Sequence, residues 1–226
     1  MEEMSLDNLQ KFEIKFTETN FFEANEELKI LESKFIQNPY LFEARGRLHL
    51  SQNEYELAIQ NYRRALQEVK KTGNIRKDVL FRIYADCSRA CESSGDKDLA
   101  AAYLIKGLEI DENNFLMRFN LGVLQLNSGK ELDAAKNFET CTKLNQNSME
   151  AWYNLGLCLL KIRRFEPAIA SFTKAIEINP KYLGAINNRA NAKKHMRRTS
   201  DAINDYLLAL KIDPDYIPAL KNISSC

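Results

Sequence analysis

The chain has no long apolar stretch. Its purely apolar runs last a few residues, far short of a membrane span. It also lacks an excess of one charge: 32 basic residues face 31 acidic ones, so net charge gives no support to a global polyanion-binding role. The start, MEEMSLDNLQ, is acidic and has no apolar core, so no secretory signal is expected there. Five cysteines (Cys87, Cys91, Cys141, Cys158, Cys226) show no metal-type pairing with histidine, and their odd count without a signal points to reduced thiols in a cytoplasmic setting. Gly-rich phosphate loops, zinc-helix motifs and nucleophile elbows are missing. The two histidines, His49 and His195, lie far apart in sequence, and the carboxylates read as solvated helix faces. These absences speak against an enzyme and against a metal or other cofactor.

What the chain has in quantity is repetition. Ala168 has counterparts at Ala202, Ala134 and Ala100, each 34 residues apart. Ala58 lies 42 residues before Ala100, and Ala24 lies 34 before Ala58, so one grid with a single eight-residue insertion holds all six. Gly156 falls in register with Gly122, Ser88, Gly46 and Ala190, all small. Phe172 falls in register with Tyr206, Phe138, Leu104, Tyr62 and Leu28, all large and apolar. Ala175 matches Ala209, Cys141, Gly107 and Ala65, and Ile178 matches Ile212, Leu144 and Ile110. Trp152, Leu155, Gly156 and Leu159 share one helical face, as do Ala168, Phe172 and Ala175. A small residue lets a neighbouring helix approach and a large one fills the space beside it. A pair of helices this short cannot bury both faces alone, whereas stacked copies can.

The pattern Trp152, Leu155-Gly156, Leu159, Ala168, Phe172, Ala175, Pro180 resembles the tetratricopeptide repeat family, over residues 39–216 well and over 5–38 more weakly. The resemblance implies an all-α, right-handed solenoid of stacked antiparallel helix pairs, with about six repeats. The expected organisation is a single solenoid over 1–226. Its repeats are 5–38 (divergent), 39–72, 81–114, 115–148, 149–182 and 183–216, with an insertion at 73–80 and a partial helix at 217–226.

In the first repeat, Leu6, Leu9, Phe12 and Phe16 line a first helix, and Asn20 with Glu23 resembles a capping box. Asn53 and Glu56 repeat that pattern. The insertion is expected to lengthen a second helix or widen a joint, with Asn74 capping the next helix. Cys87 and Cys91, four apart, could form a metal or redox pair, but both fall in core columns and are expected as buried thiols. Arg118 replaces the Trp and loosens one packing contact. Pro167 sits in the first turn of a helix, where its missing N–H costs little. After 216, Ile217, Leu220 and Ile223 begin another first helix: a minimal cap, a sticky end, or part of a longer chain.

In the family the first helices line a concave groove. Three surfaces follow from the columns. Leu116, Phe119, Val123 and Leu126, then Tyr153, Leu157 and Leu160, form either an apolar trough for a partner helix or peptide, or packing between adjacent repeats. Asn120, Asn154 and Asn188, with Asp86 upstream, form either an amide row able to hold a peptide backbone or a set that satisfies turn backbone. Arg163, Arg164, Lys194, Arg197 and Arg198, with Lys161, Lys193 and His195, form either a ridge for an acidic peptide, phosphate or anionic lipid, or a solvated loop face. Nucleic acid is not expected, for want of interleaved aromatics. The carboxylate clamp of chaperone-binding members would fall on Phe119, Val123, Asn154, Gly184 and Asn188. Only Asn154 matches, so EEVD-type chaperone tails are not expected as ligands.

The expected function is a non-catalytic protein-interaction scaffold holding a peptide or helix. Two other readings remain: a substrate-selecting or regulatory arm of a larger enzyme such as a transferase, and a self-associating assembly factor. The last is motivated by net charge −5 over residues 1–34 against +8 over residues 161–198.

Overall fold

The structure, a computed structural model, describes residues 21–34, 38–73 and 75–224. Leu6, Leu9, Phe12, Phe16, Asn20, Asn74 and Cys226 lie outside the described residues, as does the side chain of Ala24. Among the described residues there are twelve α-helices and no strand. They fall in two compact units, Met1–Ile110 and Asp111–Cys226. The first unit holds α1 (Phe21–Lys34), α2 (Pro39–Ser51), α3 (Tyr55–Thr72), α4 (Lys77–Ser93) and α5 (Lys97–Ile110). The second holds α6 (Phe115–Asn127), α7 (Glu131–Leu144), α8 (Met149–Lys161), α9 (Phe165–Ile178), α10 (Leu183–His195), α11 (Thr199–Ile212) and α12 (Ile217–Ile223). Within each unit, helices pair as antiparallel hairpins and each hairpin packs on the next. This is the all-α solenoid architecture expected from the repeat grid.

The first helix of every described hairpin ends in the same way. In the 149–182 hairpin, Arg163 N donates to Leu160 O and Arg164 N to Leu159 O, at 3.1 and 2.8 Å. That is a Schellman motif, whose penultimate residue adopts the left-handed conformation. At the ends of the first helices the residues in that conformation are Asn53, Gly95, Gly129, Arg163 and Arg197, one per described hairpin. Asn53 is therefore no N-cap. The N-cap of α3 is Glu54, without a side-chain cap bond, and Asn53 closes the preceding helix.

The grid columns become the core. Ala58, Ala65, Ala100, Ala134, Ala168, Ala175, Ala202 and Ala209 are fully buried, together with Tyr62, Phe138, Phe172 and Tyr206. The small first-helix residues admit the rings: a methyl group added at Gly46 or Gly156 would come within 2.6 Å of the Tyr62 or Phe172 ring. The Ile178 column behaves differently, with Ile110, Leu144 and Ile178 exposed at the ends of their helices. The insertion is shared between two helices, since α3 has 18 residues against 14 in α7 and α4 has 17 against 13 in α6. Gly73, in the left-handed conformation, ends α3, and the N-cap of α4 is Arg76.

Candidate peptide-binding face

In the second unit the first helices α6, α8 and α10 are neighbours, α6 beside α8 and α8 beside α10. Spacing at i, i+3, i+4 and i+7 puts Leu116, Phe119, Asn120 and Val123 on one face of α6, and Glu150, Tyr153, Asn154 and Leu157 on one face of α8. Leu116 is 46% exposed. Phe119 and Val123 are half-buried and pack against the Ala134–Phe138–Leu155–Cys158 cluster. Phe119 stacks on Phe115 at 5.8 Å and meets the edge of Phe138 at 5.5 Å. Leu157 and Leu160, also half-buried, lean on the cluster around Phe172. These side chains thus anchor one part in the core and leave the other to solvent.

The asparagine row separates. Asn188 Nδ2 donates to the Tyr153 hydroxyl at 3.1 Å, tying α10 to α8. Its Oδ1 accepts from Asn191, whose own Oδ1 accepts from the Tyr206 hydroxyl at 2.6 Å. Asn120 and Asn154 are half-buried and make no side-chain hydrogen bond among the described residues. In the first unit, Asp86 accepts from the Tyr62 hydroxyl and pairs with Arg89 at 2.8 Å, and burial raises its carboxyl above the ordinary range. It does not extend an amide row.

The basic ridge also separates. Arg198 pairs with Glu166 at 2.5 Å, Lys193 with the buried Asp205 at 2.7 Å, and Lys161 with Glu131 at 3.6 Å. Lys194 is engaged as well. His195 stacks on Phe165 at 5.0 Å. Arg163, Arg164 and Arg197 are exposed and form no ion pair among the described residues.

Three features differ from what the repeat pattern predicts. The first is a change of N-cap. Asn114 and Ser148 cap α6 and α8 through side-chain bonds to Met117 N and Ala151 N. The same place before α10 and α12 holds Tyr182 and Tyr216, which make no cap bond, a loss of about 1 kcal/mol each. The Tyr182 ring lies 4.8 Å from that of Tyr153, and its hydroxyl is pushed up to about 12 by burial, Tyr153, Glu150 and Tyr216. The signal was there to read: two tyrosines 34 apart where capping residues belong. The second is Arg118, which donates to Glu112 O at 2.6 Å just as Trp152 donates to Gln146 O at 2.9 Å, so it keeps the polar half of the Trp contact. The third is Gly184, where a methyl group would meet the Tyr153 hydroxyl at 3.2 Å.

Cys87 and Cys91 are buried, and the Cys87 thiol is pushed up by its hydrogen bond to Cys91 and by burial. No group of three or more metal-ligating side chains occurs among the described residues, and no helix there is long and apolar enough to cross a membrane.

Tetratricopeptide repeat models match residues 41–68, 81–114, 150–182 and 183–216, more than half of the chain. The chain belongs to the tetratricopeptide repeat family. No curated protein matches it by sequence. Among solved structures, this tetratricopeptide repeat chain is similar to YrrB, described as a protein of this family with an unusual peptide-binding site (19% identity, TM-score 0.72, 86% of this chain and 96% of that one). It is similar to PilF of Pseudomonas aeruginosa (16% identity, TM-score 0.76, covering 97% and 96%) and to MamA (18%, 0.69, covering 78% and 92%). At these identities the likeness shows the fold alone.

Proposed function

We propose that this tetratricopeptide repeat protein is a non-catalytic scaffold that holds a peptide or helix of a protein partner along α6, α8 and α10. The observation that carries the reading is the coincidence of two kinds of group on one face. Leu116 is exposed and Phe119, Val123 and Leu157 are half-buried, so all four offer apolar surface, and Asn120 and Asn154 lie among them with no side-chain hydrogen bond among the described residues. An apolar strip gives a partner something to bury, and free amides satisfy the backbone polar groups that burial would strand. Tyr153 and Asn188 brace the face, since they are bonded to each other. The peptide-binding site of YrrB, on a similar fold, supports the same use of the array.

The turn ridge is the weaker surface for this role, because Arg198, Lys193 and Lys161 already face carboxylates. The test is capture of partners by the wild type and by Phe119→Glu with Leu157→Glu. The expected result is loss of captured protein with helical content unchanged by circular dichroism. Equal capture by the folded double variant contradicts the reading.

A further inference from the structure

The last two first helices give up their capping side chains for rings, and those rings gather in one place. Tyr182 precedes α10 and Tyr216 precedes α12, each at an N-cap position without a cap bond. Tyr153 of α8 lies between the phenylalanine core and these rings, with its centroid 5.9 Å from Phe172 and 4.8 Å from Tyr182. Its orientation is fixed by Asn188, and the absence of a side chain at Gly184 leaves room for its hydroxyl. Tyr216 packs with Leu183 of α10 against the cluster around Ile186, close enough to act on Tyr182 and to feel Tyr153 electrostatically. All three rings are half-buried, so part of each meets solvent.

The charged side chains that act on Tyr182 and Tyr216 are carboxylates. Glu150, exposed on the same face of α8, acts on Tyr182, and Asp213 acts on Tyr216. Asp213 also closes its turn by accepting from Asp215 N at 3.1 Å, which holds its carboxylate in place. Ring faces are electron-rich and attract a cation set against them, and two carboxylates deepen that potential. An anionic ligand would be repelled by both features, and a purely apolar one would leave the carboxylates unused.

We propose that Tyr153, Tyr182 and Tyr216, with Glu150 and Asp213, form a pocket for one basic side chain, lysine or arginine, of the peptide held along α6, α8 and α10. The proposal rests on the groove reading above and adds to it a fixed chemical requirement at the α10 end. A peptide running along the face would lay its apolar residues on Phe119 and Leu157 and its basic residue among the tyrosines.

The experiment is selection of a displayed random dodecapeptide library on the full chain. Affinities are then measured for an enriched peptide and its counterpart with norleucine in place of the basic residue. Enriched peptides are expected to share a lysine or arginine at one position, and norleucine to cost at least tenfold in affinity. Glu150→Lys, a change at an exposed site, is expected to remove that tenfold difference while leaving the norleucine peptide within twofold. Tyr182→Leu with Tyr216→Leu is expected to do the same, with circular dichroism reporting the fold. Enriched peptides without a shared basic position, or equal binding of the norleucine form, overturn the pocket and leave the groove reading standing. If Phe119→Glu with Leu157→Glu binds the same peptides as the wild type, the groove reading itself fails. A selection that enriches no peptide overturns both.

Discussion

Gly156 and Phe172 are in contact so close that a methyl group on the glycine would lie 2.6 Å from a ring carbon. The ring is fully buried and has nowhere to retreat without disturbing the next hairpin. Gly156→Ala is therefore expected to destabilise the protein although alanine favours helix. Overpacking costs about 1–3 kcal/mol, and the helix propensity gained returns about 1 kcal/mol of it. At Gly122 the distance to the Phe138 ring is 3.0 Å, so Gly122→Ala should cost less. The 81–114 repeat carries the complementary solution, Ser88 facing Leu104. Accordingly Phe172→Leu should relieve Gly156→Ala in a double-mutant cycle followed by urea denaturation.

The left-handed column predicts a change of opposite sign. Arg163 and Arg197 hold φ near +62° and +61°, where a side chain is strained, at the place that Gly95 and Gly129 occupy in other repeats. Relief of that strain outweighs the extra freedom of glycine in the unfolded chain. Arg163→Gly and Arg197→Gly should each stabilise the protein by up to about 1 kcal/mol. Gly129→Ala should destabilise it by about 1 kcal/mol, and purely through the backbone, because nothing lies within 4 Å of the added carbon. Thermal denaturation of the three variants checks the signs.

Alkaline pH should weaken the fold. Burial pushes the Cys141 thiol up to about 11 and the Cys158 thiol up to about 12, from an ordinary value of 9.0. Both thiols are fully buried. Because the folded values lie above the unfolded one, this contribution is complete below pH 9 and is lost as pH rises toward 11–12. Urea midpoints should be level between pH 7.5 and 8.5 and fall above pH 9. Replacing both cysteines with alanine should make that fall shallower. Stability rising with pH above 9 would contradict the assignment.

The hairpin array was legible in the sequence because the repeat imposes the same packing at each copy: Ala168, Phe172 and Gly156 could be read from spacing alone. Asn53 was misread because asparagine suits both an N-cap and a left-handed helix end. Only its alignment with Gly95 and Gly129 distinguishes the two. The candidate face was legible in its apolar residues, which follow helical periodicity. The Tyr153–Asn188 bond was not, since it joins residues 35 apart on different helices, one position off the grid that identified everything else. Exposure of the Ile178 column was equally hidden, because periodicity reports which residues share a face and not how far the neighbouring hairpin reaches along it.

The central claim is that the first-helix face of α6, α8 and α10 is where a peptide lies. Chemical-shift mapping on methyl-labelled protein, with a peptide enriched by library selection, tests it most directly. Shifts are expected to concentrate on Leu116, Val123 and Leu157. Shifts concentrated instead on Leu132, Leu144 and Ile178, which are among the exposed apolar residues of the second helices, would contradict it.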